Sequence, residues 1–184
     1  MNARRAVGVR RITVGAPPGV TVPDTPVIGR NAANPVSDVA LFLIGLRINR
    51  LTSLADGLRV MASMLRLLRD LRDDRDSGYR GHRILFGPTP REVMVLQYWA
   101  SGEHLLAFAT DPRHRHREAW REFEQMVRSS AGGIGLWHEI YRVPRSGIST
   151  FYRDIPPTGL AAVTGLVAKG PRGEGSARHG SEPT

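Results

Sequence analysis

The residues best placed to do chemistry lie in Gly132-Gly133-Ile134-Gly135-Leu136-Trp137-His138-Glu139-Ile140-Tyr141. A glycine-rich turn here feeds a strand that carries a histidine, a glutamate and two large aromatics within five residues. Side chains alternate along a strand, so His138 shares a face with Leu136 and Ile140, and Glu139 shares the other with Trp137 and Tyr141. An imidazole titrates near neutrality and is the usual general base. A buried ionisable group is costly unless it is paired or used, which makes this strand the first candidate for a site. The competing reading is a hydrogen-bonded core histidine with no catalytic role.

Composition narrows the chemistry. The 184 residues contain no cysteine, which removes disulfides, thiolate metal sites and cysteine nucleophiles and makes the cytoplasm the expected compartment. The net charge of +9 is unevenly spread, with five arginines against Asp24 in residues 1–36. Acids and bases are interspersed through the middle, and no basic recognition helix or aromatic RNA-binding signature is present, so no nucleic-acid partner is expected. No run approaches the roughly 20 apolar residues that a spanning helix needs, and no apolar segment follows the N-terminal arginines as a secretory signal would require. Histidines and carboxylates do not fall at metal-binding spacings, so no metal is expected.

The elements that must position this strand follow from periodicity. Residues 1–36 read as an irregular arm, because Pro17, Pro18, Pro23, Pro26 and Pro35 interrupt them; Val7–Val14 is one short possible strand. Residues 38–48 form a nearly continuous apolar run, the pattern of a strand buried on both faces, with Arg47 near its end. Leu54, Leu58, Met61, Met64, Leu65, Leu68 and Leu71 recur at three and four and make a helical stripe. Two strands, 81–86 and 92–99, flank Gly87-Pro88-Thr89-Pro90 and should pair as a hairpin. Ser101 is the N-cap of the next helix, which breaks at Asp111-Pro112, and a second helical segment follows over 113–129. Its stripe is Trp120, Phe123, Met126 and Val127, with His114 and His116 in its first turn. After the strand of His138, residues 148–152 read as a short last strand, 155–160 as a loop and 161–167 as an apolar docking segment. The tail, 169–184, has a disordered composition.

The middle therefore reads strand, helix, strand, strand, helix, strand. That is the split β-α-β order of an α+β, ferredoxin-like domain over residues 37–168. Two helices cover one face of such a sheet. The strands are apolar on both faces, so a homodimer packed sheet against sheet is the expected cover for the other.

Five segments carry a family resemblance: 42–49 (FLIGLRIN), 97–101 (QYWAS), 116–120 (HREAW), 135–141 (GLWHEIY) and 152–160 (YRDIPPTGL). In this order they resemble a family of small monooxygenase-like proteins that includes a monooxygenase of fungal fumagillin biosynthesis. The family is similar to the antibiotic-biosynthesis-type monooxygenases. The resemblance implies a dimeric α+β barrel and oxidation of a small organic metabolite, aromatic or of polyketide or terpenoid type. Relatives of that fold include cofactor-free oxygenases and haem enzymes; the cofactor-free case is the expectation, and there His138 is the candidate base and Tyr98 a candidate hydrogen-bond donor to a developing oxyanion. Arg47, Trp99, His116, Trp120, Trp137, Glu139 and Tyr141 are the candidate substrate contacts, with Glu139 expected to bind Arg47 or a nearby hydroxyl. Two alternatives stay open: a haem enzyme with His138 or His116 as axial ligand, and a non-catalytic dimeric ligand-binding module.

Overall fold

The computed structural model describes residues 24–87, 89–111 and 116–169, with the side chains of 116–119 outside the description. The expected strand at Val7–Val14, the histidine at 114 and the tail after Lys169 fall outside these residues.

The core domain has the expected order. Strand β2 (Val39–Ile48) leads through a short 3-10 turn at Leu51–Ser53 into helix α1 (Leu54–Asp73). Strands β3 (Tyr79–Phe86) and β4 (Glu92–Trp99) follow, then helices α2 (Gly102–Thr110) and α3 (His116–Ser129), and strand β5 (Ile134–Val143). The four strands form one antiparallel sheet in the order β3-β4-β2-β5. This is the ferredoxin-like arrangement. The apolar run of β2 lies between β4 and β5, as a strand without a polar face should. The β3–β4 hairpin closes with Gly87 N–H on the Glu92 carbonyl at 2.9 Å. Ser101 caps α2, its hydroxyl accepting from the His104 backbone N–H at 3.3 Å.

Helices and sheet enclose a core in which Val60, Met64, Leu68 and Leu71 of α1 meet Ile44, Val95, Trp99, Leu105, Phe123 and Ile134. The buried face of α1 keeps Met64, Leu68 and Leu71 of the expected stripe but not its first two members. Leu54 and Leu58 are 47% and 60% exposed, while Gly57 and Ser63 are buried. A Cβ on Gly57 would run into Ile48, so α1 approaches β2 closely at its start.

A second, three-stranded sheet corrects the reading of the arm and of the last strand. Strand β1 (Val27–Ala33) lies between β6 (Tyr152–Ile155) and β7 (Leu166–Ala168), both antiparallel to it. Pro26 and Pro35 flank β1 without interrupting it, so the strand keeps every N–H it needs. Gly29 takes a positive φ of +97° where the register of β1 and β6 slips, and its N–H donates to Asp154 Oδ1 at 2.8 Å. Strand β6 begins at Tyr152, four residues later than the expected start at 148. The apolar segment that follows it docks as a short helix α4 (Ala161–Thr164), with Ala161 and Ala162 buried, and β7. Among the described residues no helix is long and apolar enough to cross a membrane.

Candidate active site

Alternation on β5 works out as its sequence requires. His138, Ile140 and Arg142 face the helices, and Trp137, Glu139 and Tyr141 face away. Strand pairing sets His138 opposite Ile44 of β2, which in turn lies opposite Val95 of β4. One row further along, Ile140, Phe42 and Gln97 align in the same way.

Between this patch of sheet and the three helices lies a cavity of about 400 Å³. Its walls are mostly apolar, with Phe42 and Ile44 on the floor and Leu105, Phe108, Trp120 and Phe123 from the helices. His138 lies at its mouth. The imidazole is held between two rings: Phe42 at 5.7 Å between centroids, and Trp120 at 6.0 Å, nearly edge-on. Trp120 is itself anchored, its Nε1 donating to Glu124 Oε1 at 3.2 Å. The expectation that His138 is buried does not hold. β5 is the outer strand of its sheet, and its helix-facing side opens to solvent, with the neighbouring Ile140 50% exposed. The His138 nitrogens make no hydrogen bond among the described residues.

Two polar side chains that the sequence reading left aside also line the cavity, Gln97 and Arg142. Gln97 is only 3% exposed, and its Oε1 accepts from Trp99 Nε1 at 3.1 Å. Its signal was in the sequence: it is the single polar residue on the face that β4 shares among Val93, Val95 and Trp99. The Trp99 ring is wedged between Tyr79 at 5.5 Å and Phe108 at 5.4 Å. Behind it the Tyr79 hydroxyl meets His82 Nδ1 at 2.5 Å. Burial pushes the Tyr79 phenol well above its ordinary pKa, so it stays protonated and donates. Burial first, and then the nearby Arg72 charge, push the His82 imidazole below its ordinary 6.5.

The predicted site divides in two. The cavity brings together His138, Trp99 and Trp120. Tyr98 lies on the opposite face of the sheet, where the backbone of Gly159 packs against its hydroxyl, Arg83 and Tyr152. Burial raises its pKa, and the Arg83 charge opposes that. Tyr98 therefore cannot serve a cavity that His138 serves. Trp137 is also on that face, packed across Gly45. Glu139 accepts a 2.5 Å hydrogen bond from the Tyr141 hydroxyl, which raises the Tyr141 pKa. This satisfies one of the two partners expected for Glu139; the other, Arg47, pairs instead with Glu92 at 3.2 Å near the end of the sheet. His116 opens α3, and its side chain is outside the description. Among the described residues no cluster of histidines and carboxylates could hold a metal ion.

Comparison with known proteins gives distant structural likenesses and one family match. A dimeric protein of unknown function with a ferredoxin-like fold from Bacteroides fragilis NCTC 9343 is 13% identical over 56% of this chain and 95% of its own, with a TM-score of 0.40. A candidate monooxygenase from Lactobacillus acidophilus NCFM is 10% identical over 69% of this chain and 52% of its own, at 0.41. An aldoxime dehydratase solved with butyraldoxime is 15% identical over 80% of this chain and 47% of its own, at 0.44. This chain spans about half the length of the last two. With TM-scores of 0.44 and below, these likenesses carry no argument. No curated protein matches the sequence. A family match does bear on it, since residues 39–160, about two thirds of the chain and the whole four-stranded sheet, match the family described as monooxygenase af470-like. The chain belongs to the monooxygenase af470-like family.

Proposed function

We propose that the protein is a monooxygenase that oxidises a small, largely apolar metabolite in the cavity under His138, using molecular oxygen and no resident cofactor. The observation that carries this reading is the uncommitted imidazole of His138, held by Phe42 and Trp120 at the mouth of an apolar cavity of about 400 Å³. Such chemistry needs a substrate whose anion gives up an electron readily, such as a phenol, an enol or an activated methylene. His138 takes the substrate proton. The anion passes one electron to oxygen, and the resulting carbon radical and superoxide combine into a peroxide anion, which takes the proton back from His138. Loss of water then leaves a carbonyl. One methylene and one molecule of oxygen thus give one ketone and one water, with no outside reductant. The apolar walls keep the anion from being reprotonated by water.

For His138, the surroundings support the cofactor-free reading over haem ligation. A histidine that ligates a metal almost always donates its second nitrogen to a carboxylate or carbonyl, and His138 has no such acceptor among the described residues. We also propose a homodimer through the open face of the sheet, where Leu41, Leu43, Leu96 and Trp137 are only half-buried.

Oxygen uptake tests the reading, with a panel of phenols and β-diketones and with product labelling from heavy-isotope oxygen gas. His138→Ala should lower turnover by about a hundredfold or more, the usual share of a general base, with the fold intact by circular dichroism. Full turnover in that variant sinks the catalytic role. A Soret band in the purified protein supports the haem alternative, and ligand binding without oxygen uptake supports a non-catalytic module.

A further inference from the structure

Among the polar side chains lining the cavity, Gln97 is the buried one, at 3% exposure. Its amide orientation is fixed by chemistry. The Trp99 indole nitrogen can only donate, so the atom that faces it at 3.1 Å must be the Gln97 oxygen. The amide nitrogen then points elsewhere with two hydrogens. It has no hydrogen-bond partner among the described residues. Nor is it sealed into the protein, because the buried unpartnered side-chain atom among those residues is Thr89 Oγ1. The Gln97 Nε2 therefore opens on the cavity that its side chain lines. A donor held in an apolar space without a partner is costly, and an acceptor oxygen on a bound molecule removes that cost.

We propose that Gln97 is a ligand-contact residue, donating from Nε2 to a carbonyl or phenolate oxygen of the molecule in the cavity, and that Trp99 is the positioning residue that orients the amide. This rests on the cavity being the substrate site and adds the atom that the substrate must present. It also sets a span. Gln97 is opposite Phe42 and His138 is opposite Ile44, one strand apart on either side of β2. Two strand spacings across and two residues along the strands separate their backbones, roughly 12 Å. A molecule that reaches both carries its acceptor oxygen at one end and its labile proton at the other, with an apolar, conjugated middle over Phe42. Charge released at His138 then flows toward an oxygen that already accepts a hydrogen bond, and that bond strengthens as the charge arrives.

A matched pair of probes tests this without chemistry: α-tetralone, which has a carbonyl, and tetralin, the same skeleton without it. Calorimetry on the full chain should show α-tetralone binding about tenfold more tightly than tetralin, the worth of one neutral hydrogen bond. Gln97→Met should bring the two within about twofold, the difference a hydrogen bond no longer makes. That variant strands the Trp99 indole N–H, so the double variant Gln97→Met, Trp99→Phe, with both partners removed, is measured beside it. Trp99→Phe alone keeps the donor but frees the amide to turn, and should lower the ketone preference while tetralin still binds. Equal affinities in the native protein, or a preference that survives in both Gln97→Met variants, overturns the role of Gln97 and leaves the oxygenase reading standing. If neither probe binds the native protein, the cavity is not a ligand site, and both readings fall.

Discussion

At the scale of single residues, the pair behind the cavity wall makes the sharpest pH prediction. Tyr79 donates to His82 Nδ1, and this contact requires His82 to be neutral. Burial and Arg72 lower the folded pKa of His82, so the unfolded chain binds its proton more readily than the folded one. The stability this contributes is whole above the ordinary value of 6.5 and is lost as pH falls through the lower folded value. Thermal midpoints measured between about pH 5 and 8 should fall on the acid side for the native protein. They should fall less steeply for His82→Gln, which keeps an acceptor for Tyr79 and cannot titrate. Equal acid slopes would remove His82 as the cause. Not every site residue could be read at this scale. His138 and its face came from strand alternation alone. Gln97 was passed over because a lone glutamine among Val93, Val95 and Trp99 looks like a filler until its Trp99 contact is seen. His82 was missed for a similar reason, since its partner Tyr79 and its neighbour Arg72 come together only through the fold.

At the scale of elements, periodicity located strands and helices and most of the face each buries. In α1 the expected stripe holds at Met64, Leu68 and Leu71, but at the start of the helix Gly57 and Val60 take the place of Leu54 and Leu58, because Ile48 needs Gly57 beneath it. The site of closest approach in the sheet shows the same logic. Gly45 of β2 lies under the Trp137 indole of β5, and a Cβ there would clash with the indole ring. Gly45→Ala must push Trp137 aside. We expect a loss of about 1–3 kcal/mol, the usual range for overpacking, read from denaturant unfolding. Turnover should change little, because Trp137 faces away from the cavity. An unchanged midpoint would show that the indole is loosely held. The burial of His138 was misjudged for a related reason: strand order, which places β5 at the edge, is a property of the sheet and not of the strand.

At the scale of the whole molecule, the strand–helix–strand order was legible because each element has a clean period and a glycine or proline stop. The small sheet was not. Its three strands come from opposite ends of the sequence, and β1 between two prolines gives no local sign that partners exist more than a hundred residues away. The open face of the main sheet makes the prediction proper to this scale. Light scattering should return the mass of a dimer for the native protein and of a monomer for Leu43→Glu, which puts a charge among Leu41, Leu96 and Trp137. A monomeric native protein would end the dimer proposal.

The small sheet also means that the molecule is buckled head to tail. Both neighbours of β1 come from residues 152–168, and the Lys169 N–H donates to the Arg30 carbonyl at 2.8 Å. Cutting the chain back before Tyr152 would leave the sequence of β1 intact and take away every strand it pairs with. It would also uncover the Tyr98 hydroxyl that Gly159 now covers. Damage to one end of the chain is felt at the other, so a shortened version of this protein cannot be planned from one terminus at a time.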